Sequence, residues 1–393
     1  MNATNTILMG LLGRALFGKA FSFEEKETDW QALYKEAKAQ TVHLLIYDCL
    51  TKAEQAAMPT DVATQWRMLA FRTLSKTEKL YKEQKKILHL LADKKIDCCI
   101  LKGSSCAINY PKPELRSAGD IDLLLSREDL KAAEALLRCV GYTSAEGEHP
   151  CHIAMHCGDW ETELHFEPSG FPSGEIGEQI RHYFCDAEKQ AVEQQGLPIL
   201  PPCHSAIVLL THKLNHLVGS GLGLRQICDW AVFVHKQVNH NVWRELEPLL
   251  QQFGILHFTK IITRLCVEYL GLPQNVAPWC MDADIHVTHE LLEDILKTGN
   301  FGRKEKRYGQ RLFTDGGSGG RLASFWRVGL RVCRNSWPIC KKYPVLLIFA
   351  PFVVARRYLK RRKQGKRPEL RLRAMYKEAE QRQALYHELH VFQ

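Results

Sequence analysis

Asp120 and Asp122, in Gly119-Asp120-Ile121-Asp122-Leu123, are the residues whose type and spacing point most directly to chemistry. Side chains of an extended strand alternate between faces, so this spacing sends both carboxylates to one side. Two such groups repel, and a divalent cation relieves the repulsion. Mg²⁺ (or Mn²⁺) takes oxygen ligands of this kind together with triphosphate oxygens. Upstream, Leu101-Lys102-Gly103-Ser104 closes a short apolar run. Gly103 lets the backbone come close to a phosphate, and Ser104 can offer its N–H and hydroxyl at a helix start. Lys102 and Arg116 could steer a triphosphate or simply be solvated. Glu161, Glu163, His165 and Glu167 share one face of an alternating stretch and make a further carboxylate available. The competing readings are a solvated strand end for the aspartates and an ordinary strand-to-helix turn for Gly103-Ser104.

Other pairs carry weaker signals. His212 and His216 have the i, i+4 spacing of a metal pair, but the glutamate and third ligand of a metalloprotease are missing, which favours packing. Arg225 and Asp229, one turn apart, most simply form an ion pair, with a place in a nucleotide cleft as the alternative. His165 could touch an acceptor or a metal, or be a structural strand histidine. The fourteen cysteines are scattered without a Cys-x-x-Cys pair or a histidine-rich cluster, so neither a zinc ribbon nor a redox dithiol is signalled. No secretory leader is recognised, and the cytoplasm is the expected compartment.

The elements that must position these residues follow from periodicity. Residues 1–94 read as helical, from the apolar run 6–17 to the pattern Leu80, Ile87, Leu88, Leu90, Leu91. Residues 96–101 and 121–125 read as strands. Ser126 and Asp129 form a capping-box pattern before a helix through Leu137, and two paired strands turn near Gly158-Asp159. Helices return at 206–218, 224–234 and 243–270. The expected architecture is α+β, with a small mixed-sheet core over 95–200, a helical domain over 201–314 and a glycine-rich linker at 315–320.

These residues resemble the nucleotidyltransferases of the DNA polymerase beta superfamily, with their Gly-Ser, spacer, Asp-x-Asp and later acid. More narrowly, Leu101-Lys102-Gly103, Arg116-x-x-Gly119-Asp120-Ile121-Asp122-Leu123, Glu163-Leu164-His165 and the run from Gly223 to Trp230 are similar to an uncharacterised bacterial nucleotidyltransferase branch. The likeness covers most of residues 10–300. It implies a nucleotidyltransferase-fold core, phosphate binding by Gly103 and Ser104, metal binding by Asp120 and Asp122, and Glu163 as third carboxylate. The implied reaction is Mg²⁺-dependent transfer of a nucleoside monophosphate from an NTP such as ATP to an unidentified acceptor, by in-line displacement at the α-phosphorus. The spacer from Ser104 to Asp120 is longer than the superfamily's commonest form, and the third acid is Glu rather than Asp. The alternative is a catalytically silent binding module, associated with envelope-polysaccharide synthesis or nucleic acid.

Composition places the charge elsewhere. Residues 321–393 carry 18 lysines and arginines against 4 acids, leaving 35 against 40 before them, so the overall +9 belongs to the C-terminal segment. That basic segment is expected to be a helical appendage. Its apolar run 343–355 is shorter than the ~20 residues of a membrane span. With the cations that follow, it suits peripheral contact with an anionic inner membrane face; nucleic acid and packing are the alternatives.

Overall fold

The computed structural model describes residues 1–304, apart from 146–148, 150, 173 and 220, and beyond them residues 345, 349, 352, 356 and 384–389. The linker at 315–320, and most of the apolar run 343–355 and of the basic segment, therefore lie outside the described residues. Among those described, no helix is long and apolar enough to cross a membrane.

Apolar periodicity builds the N-terminal helices. These are α1 (Ala3–Phe17), α2 (Trp30–Ala39), α3 (His43–Cys49), α4 (Lys52–Ala57) and α5 (Thr60–Asp93). Along α5, Val62, Trp66, Ala70, Thr77, Leu80, Gln84, Ile87 and Leu91 are buried, an inward stripe three, four or seven residues apart. Its C-terminal half lies over a sheet whose strands are β1 (Cys98–Ile100), β2 (Ile121–Leu125), β3 (Thr143–Ser144), β4 (His152–Cys157), β5 (Trp160–His165), β6 (Val192–Gln194) and β7 (Leu197–Ile199). The order is β3-β4-β5-β2-β1-β7-β6. The sheet is mixed, with β2 parallel to β5 and antiparallel to β1, and β1 parallel to β7.

Between β1 and β2 runs the single helical turn α6 (Ser104–Ala107), and α7 (Leu130–Cys139) follows β2. Leu80, Ile87 and Leu91 of α5 pack with Ile121, Leu123 and Leu125 of β2, Leu137 of α7 and Leu164 of β5 in one core. Each such side chain contributes about 1.5–3 kcal/mol by leaving water. All five residues of β2 are buried, so Asp122 and Leu124, on the other face, are also covered. Ser126 and Asp129 bond each other, Asp129 N donating to Ser126 Oγ at 3.0 Å, but the expected capping box is not formed: α7 begins at Leu130, with Asp129 in the cap position and no side-chain cap bond.

The covering layer on that face comes from helices after α8 (Glu175–Tyr183), namely α9 (Pro202–Val218) and α10 (Leu224–Gln237). Beyond them lie α11 (His240–Gln252), α12 (Leu256–Leu270) and α13 (Ile285–Thr298). The expected continuous helix over 243–270 is divided here. Gly254 adopts φ +62°, a left-handed conformation that ends α11 and lets α12 leave in a new direction. The start of α10 is fixed to the N-terminal helices by Gln40, whose side chain accepts from Leu224 N at 3.0 Å. The fold is α+β: a seven-stranded mixed sheet with helices on both faces and at its side.

Candidate active site

The β2–β5 pairing sets the geometry. Asp122 is the register partner of Glu163 on parallel strands, so both side chains leave the sheet on the same face. His165, two positions on from Glu163, lies between them. Its Nε2 is 3.1 Å from Asp122 Oδ1 and 2.9 Å from Glu163 Oε2, and its Nδ1 is 3.3 Å from the Glu167 carbonyl oxygen. Lys102 Nζ, from the end of β1, reaches Asp122 Oδ1 at 3.1 Å. Asp120, just before β2, stands at the open rim of the same cleft. The cavity, about 260 Å³, is walled on the sheet side by Lys102, Gly103, Asp120, Asp122, His152 and Glu163. Opposite are His212, Lys213 and His216 of α9 and Arg225 of α10.

The charges divide the two aspartates. Asp122 raises the proton affinity of Asp120, and the cleft walls add to this by displacing water. Burial alone would raise Asp122 too, but Lys102 and His165 reverse that and hold it well below the usual carboxylate range. Burial disfavours the His165 cation, yet its bonds to Asp122, Cys151 and Glu163 win, raising it to about 10. On the opposite wall, burial lowers His212 well below the ordinary histidine value, with Lys102 and His216 adding to the effect. Arg225 has its Nε buried without a hydrogen-bond partner. Its Nη1 donates to the Ser117 carbonyl at 3.3 Å, and the guanidinium lies 5.6 Å from the Phe301 ring.

A family model described as an uncharacterised nucleotidyltransferase matches residues 26–271, more than half of the chain. The chain belongs to the uncharacterised nucleotidyltransferase family. No curated protein matches it.

Within this member of the family the sequence-expected residues fall into two groups. Asp120, Asp122, Glu163, Lys102 and Gly103 meet at the cavity. Gly103 takes φ +71° and ψ −109°, which a side-chain-bearing residue adopts only with strain, and it places the backbone on the cavity wall. Ser104 is turned inward. Its hydroxyl is 2.7 Å from Gln84 Nε2 and 2.9 Å from Gln84 Oε1 in the core, and the side chain does not line the cavity. Arg116 borders the cavity, but its guanidinium is engaged by Asp229 through Nε–Oδ1 at 3.1 Å and Nη2–Oδ2 at 2.8 Å. Tyr110 donates to the same carboxylate at 2.8 Å.

The partner of Asp229 is thus Arg116 rather than the expected Arg225, because α10 turns Asp229 toward the loop before β2. Glu161 is not on the cavity wall, and Glu167 is held by Arg181 at 3.0 Å on a different pocket. The cavity also gathers Lys213, Phe301 and His152, which the sequence reading did not single out. His212 and His216, expected to serve packing, stand against each other at 3.0 Å on its wall. A signal for the α9 group existed in the spacing of His212, Lys213 and His216, but it gave no reason to face them toward Asp122. His149, Cys151 and His152 come together as well, although the cysteines read as scattered without a histidine-rich cluster; the two imidazoles stack with centroids 3.7 Å apart.

Proposed function

We propose that this protein transfers a nucleoside monophosphate from an NTP to an acceptor, using a hard divalent cation. The observation that carries the reading is the convergence of Asp120, Asp122 and Glu163 on one cavity wall, with Asp122 and Glu163 paired in register. The donor set fits Mg²⁺ or Mn²⁺: the three candidates are carboxylates, and the raised proton affinity of Asp120 is the signature of repulsion that a cation would relieve. Asp120 and Asp122 would hold the cation, with Glu163 beside them. When bound, it supplies neutralisation of the triphosphate and of the leaving pyrophosphate.

The chain's own residues supply the rest. Gly103 gives backbone access to phosphate, and the cation facing the sheet from α10 is Arg225, whose guanidinium keeps donors for phosphate oxygens. Lys102 and His165 orient Asp122. Glu163 serves as base for the acceptor hydroxyl, whose oxygen bonds to the α-phosphorus as the bond to pyrophosphate breaks. The decisive experiment incubates the protein with each NTP and Mg²⁺ or Mn²⁺, reading pyrophosphate release and a labelled product. Wild type is expected to release pyrophosphate while Glu163→Gln and Asp120→Asn fall to background, and Glu161→Gln and Glu167→Gln stay near wild type. Release unchanged in Asp120→Asn overturns the assignment. Nucleotide binding without release by any NTP favours the silent binding module.

The basic segment over 321–393 is proposed to bring the enzyme to an anionic membrane surface in the cytoplasm, each cation near the surface contributing ~1 kcal/mol. A chain ending at Gly320 is expected to keep nucleotide binding and lose salt-sensitive association with anionic vesicles. Equal association with neutral vesicles, or none, counts against it.

A further inference from the structure

The sequence His149-Pro150-Cys151-His152 brings three candidate metal ligands, two imidazoles and a thiol, into four residues at the start of β4. In the fold, their ligand atoms all lie within 4.8 Å of one another. Cys151 Sγ is 3.3 Å from His149 Nδ1 and 4.0 Å from His152 Nδ1, and the two imidazoles stack at 3.7 Å. A tetrahedral ion with bonds of about 2.0–2.1 Å to nitrogen and about 2.3 Å to sulfur needs ligand separations of about 3.3–3.6 Å. The two sulfur–nitrogen separations fall at the lower end of that range and just above it.

We propose that His149, Cys151 and His152 form a second metal site, for a borderline-soft divalent ion of the Zn²⁺ class. Thiolate with two imidazoles selects such ions over Mg²⁺, which favours oxygen ligands. Binding replaces the Cys151 thiol proton, which is released to solvent as the metal–sulfur bond forms. His149 and His152 line the nucleotide cavity, so the fourth coordination position opens toward it, available to water. Glu163 Oε2, 3.5 Å from His152 Nδ1, stands beside that position as an acceptor. His165 is not part of the set, since its Nε2 serves Asp122 and Glu163.

The site is independent of the Asp120–Asp122 reading, and Co²⁺ tests it without nucleotide. Metal-stripped full-length protein titrated with Co²⁺ is expected to bind one equivalent with sulfur-to-cobalt absorption in the near ultraviolet and the intense visible bands of a four-coordinate ion. Zn²⁺ should displace it and Mg²⁺ should not. Cys151→Ser is expected to abolish the near-ultraviolet band. His149→Ala, at an exposed position that should leave folding untouched, is expected to weaken Co²⁺ by more than about 100-fold, beyond what outer-shell changes do. Asp120→Asn with Asp122→Asn should retain both absorptions while losing Mg²⁺–NTP binding. Absence of the near-ultraviolet band in wild type, or its survival in Cys151→Ser, overturns the site. Loss of Co²⁺ in the aspartate variant with retention in His149→Ala places the ion on the carboxylates and also overturns it.

Discussion

Arg116 and Asp229, 113 residues apart in sequence, form a two-pronged buried ion pair at 3.1 and 2.8 Å. It joins the loop that carries Asp120 to helix α10, which carries Arg225. Burial would raise Asp229, but Arg116 holds it below the usual carboxylate range. Breaking such a pair from one side leaves an uncompensated buried charge. Arg116→Met is therefore expected to lose about 3–5 kcal/mol of folding stability in urea denaturation. The double change Arg116→Met with Asp229→Leu should lose less than the two single changes summed. Additive losses would show that the pair is not coupled.

Asp120 sets the acid limit of metal binding. Its proton affinity is raised, first by Asp122 and then by the cleft walls, so protons compete with the cation above the ordinary carboxylate range. Apparent Mg²⁺–NTP affinity should fall on acidification, starting at a pH above the ordinary carboxylate range. The same shift means that Asp120 favours the folded state most below its unfolded value and loses that contribution as pH rises through the folded one. Calorimetry at several pH values checks the first claim. In Asp120→Asn the affinity should be weak and the acid dependence gone; unchanged acid dependence would assign it to another group.

Arg225, rather than Arg116 or Lys102, is expected to meet the triphosphate. A hydrogen bond to a charged group contributes about 1.5–3 kcal/mol, so Arg225→Ala should raise the Kd for Mg²⁺–NTP by roughly 10- to 150-fold. Nucleoside binding should change far less than triphosphate binding. Equal losses for nucleoside and triphosphate would point to a disturbed α10 instead of a lost phosphate contact.

Lys213 predicts a pH effect on stability. It is fully enclosed, with Nζ donating to the Leu209 carbonyl at 3.1 Å, and burial lowers it from 10.5 to about 8. Between those values the unfolded chain holds a proton that the folded protein has released, so stability gains from this group as pH rises through the window. Lys213→Met should flatten that slope and stabilise the protein at pH 7 by on the order of 2 kcal/mol. Denaturation midpoints at pH 7 and pH 10 decide it; an unchanged slope would clear Lys213 of the effect.

The sequence by itself determined the elements and the acid pair. Local periodicity is a property of neighbouring residues, so the strand Ile121–Leu125, the Ser126–Asp129 hydrogen bond and the Asp-x-Asp spacing of Asp120 and Asp122 were legible before any fold. The choice of Glu163 came from family resemblance, since alternation alone put Glu161 and Glu167 on the same face. Tertiary structure separated the three: parallel pairing sets Glu163 opposite Asp122, while Arg181 draws Glu167 to another pocket. It likewise gave Asp229 to Arg116, turned Ser104 toward Gln84, and brought His212 and Arg225 across from the carboxylates. These outcomes depend on which elements share a wall. Short-range spacing carries no information about partners 20 to 120 residues away; packing of α9 and α10 against the sheet supplies it.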